Sequence, residues 1–134
     1  MDFTEVNYWA VLLATVSTML LGFLWYSPVL LGNAWMKQRG LKKEDISGGG
    51  SATYILTALT ALGGSFLLAL LLTLGDGATM GGGLLVGLLV GISIALKIGM
   101  NYLFEGQKLG LYFITIGYHI VSYAAAGLII GCMQ

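Results

Sequence analysis

Residues 79–104, TMGGGLLVGLLVGISIALKIGMNYLF, decide the fold of this chain. Only one of them, Lys97, carries a charge, and nearly all the rest are apolar or small. A helix needs about 20 such residues to cross a hydrocarbon core. In lipid, only helices and closed barrels pair every backbone N–H and C=O, and a barrel strand would alternate in polarity, which this stretch does not. It reads as a transmembrane helix. Within it Thr79, Gly83, Gly87, Gly91, Ala95 and Gly99 recur every four residues and so share one slowly drifting stripe. Small residues let two helix backbones approach closely where lipid removes the hydrophobic drive. The stripe is longer than one antiparallel neighbour would use. It therefore implies packing inside a bundle and also a homo-oligomer.

Outward from this segment, three more stretches are long and apolar enough to span: 6–26, 52–74 and 109–132. The whole chain of 134 residues is 57% hydrophobic and 9% charged, with a mean hydropathy of +0.89. Soluble domains carry about a quarter charged residues, so a water-covered surface is excluded. The expectation is a single all-α domain over residues 1–134, an integral membrane four-helix bundle surrounded by membrane lipids. The opening residues hold Asp2 and Glu5 and no cation before Lys37, so stretch 6–26 reads as a permanent helix and not a cleaved leader. Six basic and six acidic side chains cancel, which leaves no basic surface for nucleic acid.

Orientation depends on the cations. Lys37, Arg39, Lys42 and Lys43 lie between the first two spans, whereas the next loop holds only Asp76. The positive-inside rule puts the first loop in the cytoplasm and both termini outside, with Lys97 and Lys108 in agreement. The location implied is the inner (plasma) membrane, multi-pass. Tyr8 and Trp9 mark one interface of the first span, and Trp25 and Tyr26 the other. After Ser27, a cap in this reading, residues 28–39 form a short helix in the cytoplasmic interface that Gly40 ends. Residues 47–51, SGGGS, form a flexible linker in which Ser51 caps the second span. A weak echo links the first and third spans: Gly22-Phe-Leu-Trp-Tyr26 against Gly99-Met-Asn-Tyr102. Parallel duplication of a two-helix unit would explain it, as would a shared need for interfacial aromatics, which is the preferred explanation.

Other residues carry a resemblance. Gly22-Phe-Leu-Trp-Tyr-Ser-Pro28, then Gly32-Asn-Ala-Trp-Met36 and Gly40-Leu41 with Glu44-Asp45, resemble the first half of a bacterial family of small four-helix membrane proteins. Asn101-Tyr-Leu-Phe-Glu-Gly106 and Gly117-Tyr-His-Ile-Val-Ser122 resemble its second half. The family is the domain of unknown function 1761 family. The resemblance implies a membrane location and four helices, and it implies no activity.

Few residues could carry chemistry. Ser93, Lys97, Asn101 and Glu105 form a polar stripe on the third helix, with Lys97 about 160° around the helix from Ala95. A charge in a membrane helix suggests function, although the long lysine stem can also reach the headgroups. His119, the single histidine, sits near mid-membrane on the fourth span and shares a face with Thr115 and Ser122. Folding about the Glu105–Lys108 turn sets it opposite Ile94 and Ala95. Its plain reading is a structural hydrogen bond to a neighbouring helix, and its sharper one a pathway with Ser93, Lys97, Asn101 and Ser122. The Thr53, Thr57 and Thr60 stripe reads as hydroxyls bonded back to their own helix. No paired buried carboxylates, Cys/His cluster, nucleotide loop or Ser/His/Asp set appears, so no catalytic residue, metal or cofactor is implied. Cys132 reads as a small residue at a helix end. Three functions remain: a structural, accessory or self-associating membrane protein without enzymatic activity, whose protein partner is unidentified; a small oligomeric transporter or channel; and, ranked last for want of a carboxylate–histidine pair, a membrane enzyme acting on lipid or quinone. Four short helices leave little room for a pathway within one subunit, which ties the second to oligomerisation.

Sidedness has a direct check. Single cysteines at Asp2, Lys42, Asp76 and Gln134 in a Cys132→Ser background should label with an impermeant reagent from outside at every position except 42. Labelling at 42 with protection at 2 and 134 reverses the orientation.

Overall fold

The computed structural model describes residues 3–27, 30–39, 50–75 and 79–134. Its helices are α1 (Tyr8–Trp25), α2 (Gly32–Arg39), α3 (Gly50–Leu72), α4 (Met80–Glu105) and α5 (Leu109–Met133). Four of them, α1, α3, α4 and α5, are long and apolar enough to cross a membrane. The chain is an all-α, four-helix membrane bundle.

Two local expectations are corrected. The short helix begins at Gly32, not at residue 28. Ser27 Oγ donates to the Leu24 carbonyl at 2.7 Å, so this side chain closes α1 instead of capping α2. The Leu31 N–H bonds the Trp25 carbonyl at 3.0 Å and the Gly32 N–H bonds the Ser27 carbonyl at 2.8 Å, which makes a tight turn. A Cβ on Gly32 would collide with the backbone of Tyr26 and Ser27, so glycine is required there. The second correction is that α3 starts at Gly50, which places Ser51 inside its first turn. Residues 47–49 of the glycine-rich linker, Pro28 and Gly40 lie outside the described residues.

The α4–α5 hairpin has the most extensive helix contact in the bundle. Gly106, left-handed at φ 68°, ends α4, and the Gln107 N–H reaches back to the Tyr102 carbonyl at 3.0 Å. The two helices then touch backbone to backbone. A Cβ on Gly83 would meet the Gly127 carbonyl, and one on Gly127 would meet the Gly83 carbonyl. On Gly87 it would meet the Tyr123 carbonyl, on Gly131 the Thr79 carbonyl, and on Gly91 the Ile120 Cα at 3.0 Å. Gly83, Gly87, Gly91 and Ala95 are buried. The stripe from Gly83 to Gly99 is therefore covered by α5. The same contacts set the register: His119 stands level with Gly91, about one turn nearer the start of α4 than the Ile94–Ala95 level expected. The close glycine contacts draw the hairpin into this register.

α5 is the central helix, with α4 on one side and α1 on the other; α3 lies against α1 and touches α4 and α5 little. The end of the bundle that carries residues 6 and 134 is closed by a core of Val6, Ala10, Val11, Ala14, Leu68, Ala69, Leu70, Leu72, Ala126 and Ile130, with Val86 and Val90 packed on it. Polar clamps reinforce it. Asn7 Oδ1 accepts from the N–H groups of Trp9 and Ala10, capping α1, while its Nδ2 donates to the Met133 carbonyl at 2.9 Å. Gln134 accepts from the Asn7 N–H at 3.0 Å and donates to the Ala69 carbonyl at 2.9 Å. Three helix ends are thereby joined at one point.

Gly87→Leu should destabilise the subunit by about 1–3 kcal/mol in detergent unfolding, since overpacking forces α4 off α5. Gly63→Leu, at an open helix position, should cost nothing.

Candidate functional site

At the opposite end the helices diverge around a cleft of about 960 Å³. One wall is α1, with Thr18, Met19, Gly22 and Phe23; another is α3, with Tyr54, Thr57, Thr60, Ala61 and Ser65. α5 supplies Thr115, Tyr118, His119, Ser122, Tyr123 and Ala126, whose spacing of three and four puts them on one helix face. α4 contributes only Ile94 and Tyr102, and Tyr26 and Trp35 stand over the mouth. The lining is hydroxyl and aromatic. Among the described residues it holds no carboxylate, ammonium or guanidinium group.

One recurring contact holds the aromatic groups in place. Tyr118 lies over Gly22, where a Cβ would be 3.1 Å from its hydroxyl, and donates to the Thr18 carbonyl at 2.8 Å. Tyr112 lies over Gly99 in the same way and donates to the Ala95 carbonyl at 2.9 Å. In each case the acceptor is four residues before the glycine. That carbonyl already accepts the glycine N–H within the helix, and the missing side chain opens its second lone pair. Trp25 repeats the contact in reverse, covering Gly117 of α5 and donating to the Ile114 carbonyl at 2.9 Å. The sequence echo between Gly22 and Gly99 thus has a cause: each glycine receives a tyrosine from α5. Tyr26 packs edge-on against Trp35 and Tyr118, with ring centroids 5.6 and 5.8 Å apart. Tyr102 and Thr115 hydroxyls share a hydrogen bond of 3.0 Å.

The residues singled out from sequence separate into two groups. His119, half-buried, and Ser122, buried, line the cleft, and Ser122 Oγ donates to the His119 carbonyl at 3.1 Å. Ser93, Lys97 and Asn101 are exposed on the outer side of α4 and contribute nothing to the lining. The structure does not bring them to His119. Thr57 and Thr60 line the cleft, with Thr60 Oγ1 bonded to the Thr57 carbonyl at 2.8 Å; the Thr53 side chain is outside the described residues. Sequence reasoning misses Thr18, Ser65, Tyr118 and Tyr123 as lining residues. Gly64-Ser65 inside a leucine-rich span is the available signal, since the Tyr123 side chain fills the space beside that glycine. Among the described residues no three His, Cys, Asp or Glu side chains converge as a metal site would need.

No curated protein and no solved structure matches this chain. A family model described as "Protein of unknown function (DUF1761)" matches residues 9–131. With nearly every helical residue inside that match, the chain belongs to the domain of unknown function 1761 family.

Proposed function

We propose that this protein is a non-catalytic binding protein of the transporter type, which takes a small amphipathic molecule into the cleft within a single subunit. One observation carries the reading: a half-open cleft of about 960 Å³ between the spanning helices, lined by hydroxyls, aromatic rings and an imidazole. Small-molecule sites are typically about 300–1,000 Å³. Polar side chains at membrane depth are costly and face interiors or water-filled cavities that use them. The sequence argument that a pathway needs several subunits loses its force once one subunit holds such a space. A channel is the weaker form of the idea, because the core around Ala10, Leu68 and Ile130 closes the far end. Lys37 and Arg39, with Lys42 and Lys43, support a cytoplasmic mouth in an inner membrane.

The accessory, self-associating reading rests on the small-residue stripe. α5 covers that stripe within the subunit, so an oligomer would have to use another face. The absence of paired carboxylates from the sequence supports a protein without enzymatic activity.

Native mass spectrometry and solvent extraction of protein purified in mild detergent test the proposal. Wild type should carry one small molecule per chain. Ala61→Trp, which fills the cleft, and Thr57→Phe, which narrows it, should carry much less while keeping the helical content and monodispersity of wild type. An empty wild type, or equal loading of all three, contradicts the reading.

A further inference from the structure

The cleft is not uniformly polar. Most of its hydrogen-bonding groups are already engaged: Tyr118 on Thr18, Tyr102 on Thr115, Thr60 on Thr57 and Ser122 on His119. Several others bond to none of the described residues, the Thr18 and Tyr54 hydroxyls included, and among these are Ser65, Tyr123 and His119. Ser65 is only 3% exposed and lines the cavity, yet its hydroxyl bonds to none of the described residues. No fully enclosed polar atom among the described residues lacks a partner, so the small accessible remainder of Ser65 is its face on the cavity. Tyr123 packs against the closed core and holds its hydroxyl beside Gly64, where a Cβ would be 2.7 Å away; that hydroxyl bonds to none of the described residues either. The His119 imidazole touches the Tyr118 ring at a centroid distance of 5.3 Å and makes no hydrogen bond among the described residues. His119 and Tyr123 are one turn apart on α5 and face the same cavity as Ser65.

Leaving such groups unpaired at membrane depth is unfavourable by about 1–3 kcal/mol each, unless something in the cavity bonds them. Their chemistry restricts what that is. Two hydroxyls and an imidazole can each donate to a carbonyl, ether or hydroxyl oxygen. Among the described residues no lining charge is available to neutralise a phosphate, carboxylate or ammonium, and desolvating an unpaired ion is very costly. The walls are aromatic, with Phe23, Tyr54, Tyr118 and Tyr123 offering ring faces and edges to a planar guest. α3 and α4 touch little, so the gap between them is the route by which an apolar tail would reach the lipid.

We propose that the deep end of the cleft, at Ser65, His119 and Tyr123, binds the uncharged oxygen-bearing ring of a lipid-soluble molecule of the quinone type, whose tail leaves between α3 and α4. This rests on the small-molecule reading above and names its ligand class. Binding alone is assigned, with no redox step.

The test uses purified full-length protein and three probes with the same tail: a decyl-substituted benzoquinone, decyltrimethylammonium and decanoate. Only the benzoquinone should raise the melting temperature saturably. Ser65→Ala, Tyr123→Phe and His119→Phe should each weaken its Kd by about twofold to tenfold, as expected for one neutral hydrogen bond. Their ligand-free melting temperatures should match wild type, because these groups have no hydrogen-bond partner among the described residues to lose and each replacement keeps the packing shape. Tyr112→Phe, which loses a bond to Ala95, should lower the melting temperature and leave Kd unchanged. Binding of the ammonium or the carboxylate in preference to the quinone overturns the ligand class. So does an extracted native ligand with no oxygen-bearing ring, and in both cases the small-molecule reading stands. Unaltered Kd in all three variants overturns the placement. If no probe binds and wild type also purifies empty, both readings fail together.

Discussion

The contact between Gly83 and Gly127 is the point on which the bundle turns. In lipid, apolar side chains gain nothing by leaving the solvent, so helices adhere only where packing is very close or polar groups meet. α4 and α5 meet at the distance of bare backbones, and Gly87, Gly91 and Gly131 extend the contact. That proximity fixes the register of the hairpin. The register in turn decides which residues of α5 face outward from it toward α1 and α3: Tyr118, His119, Ser122 and Tyr123.

The second consequence is asymmetry between the two ends. Where alanines and glycines meet, around Ala10, Ala14, Ala69 and Ala126, the four helices close. Where large aromatics intervene, they hold the helices apart. Tyr118 and Trp25 wedge between α1 and α5, each seated on a glycine and tied to a backbone carbonyl. A bond of this kind is worth little alone, about 0.6 kcal/mol on average in membrane bundles. Its effect is geometric: it keeps a bulky ring at one depth and leaves the space beyond it unfilled. Cleft and closure thus arise from where the sequence places small and aromatic residues.

Much of the architecture is legible because membrane physics acts on composition. Spans 52–74, 79–104 and 109–132 are apolar enough to leave no alternative, and the four-residue spacing of glycine announces a close neighbour. Which neighbour is not legible, since a stripe looks the same whether α5 or another copy covers it. The site is only half visible. His119 and Ser122 stand out as polar residues at depth, and both line the cleft. Ser93, Lys97 and Asn101 stand out for the same reason, yet they face outward, because a helical stripe says which residues share a face and not where that face points. Ser65 and Tyr123 escape a sequence reading because their unpaired state depends on the packing of α3 beside α5, which joins residues far apart in the chain. Ser27 reads as opening a helix yet closes one, since a short hydroxyl side chain can serve either terminus and only the turn at Gly32 decides.

The most direct measurement is cysteine reactivity along α3 in a bilayer, at Thr57→Cys, Ala61→Cys, Ser65→Cys and Ala69→Cys in a Cys132→Ser background. A maleimide reacts with thiolate, which forms only where water reaches. The account predicts fast labelling from the α2 side at 57 and 61, slower labelling at 65, and protection at 69, where the residue is fully buried. Uniform protection would mean that lipid-packed helices leave no cleft, and labelling at 69 would mean that the far end is not closed.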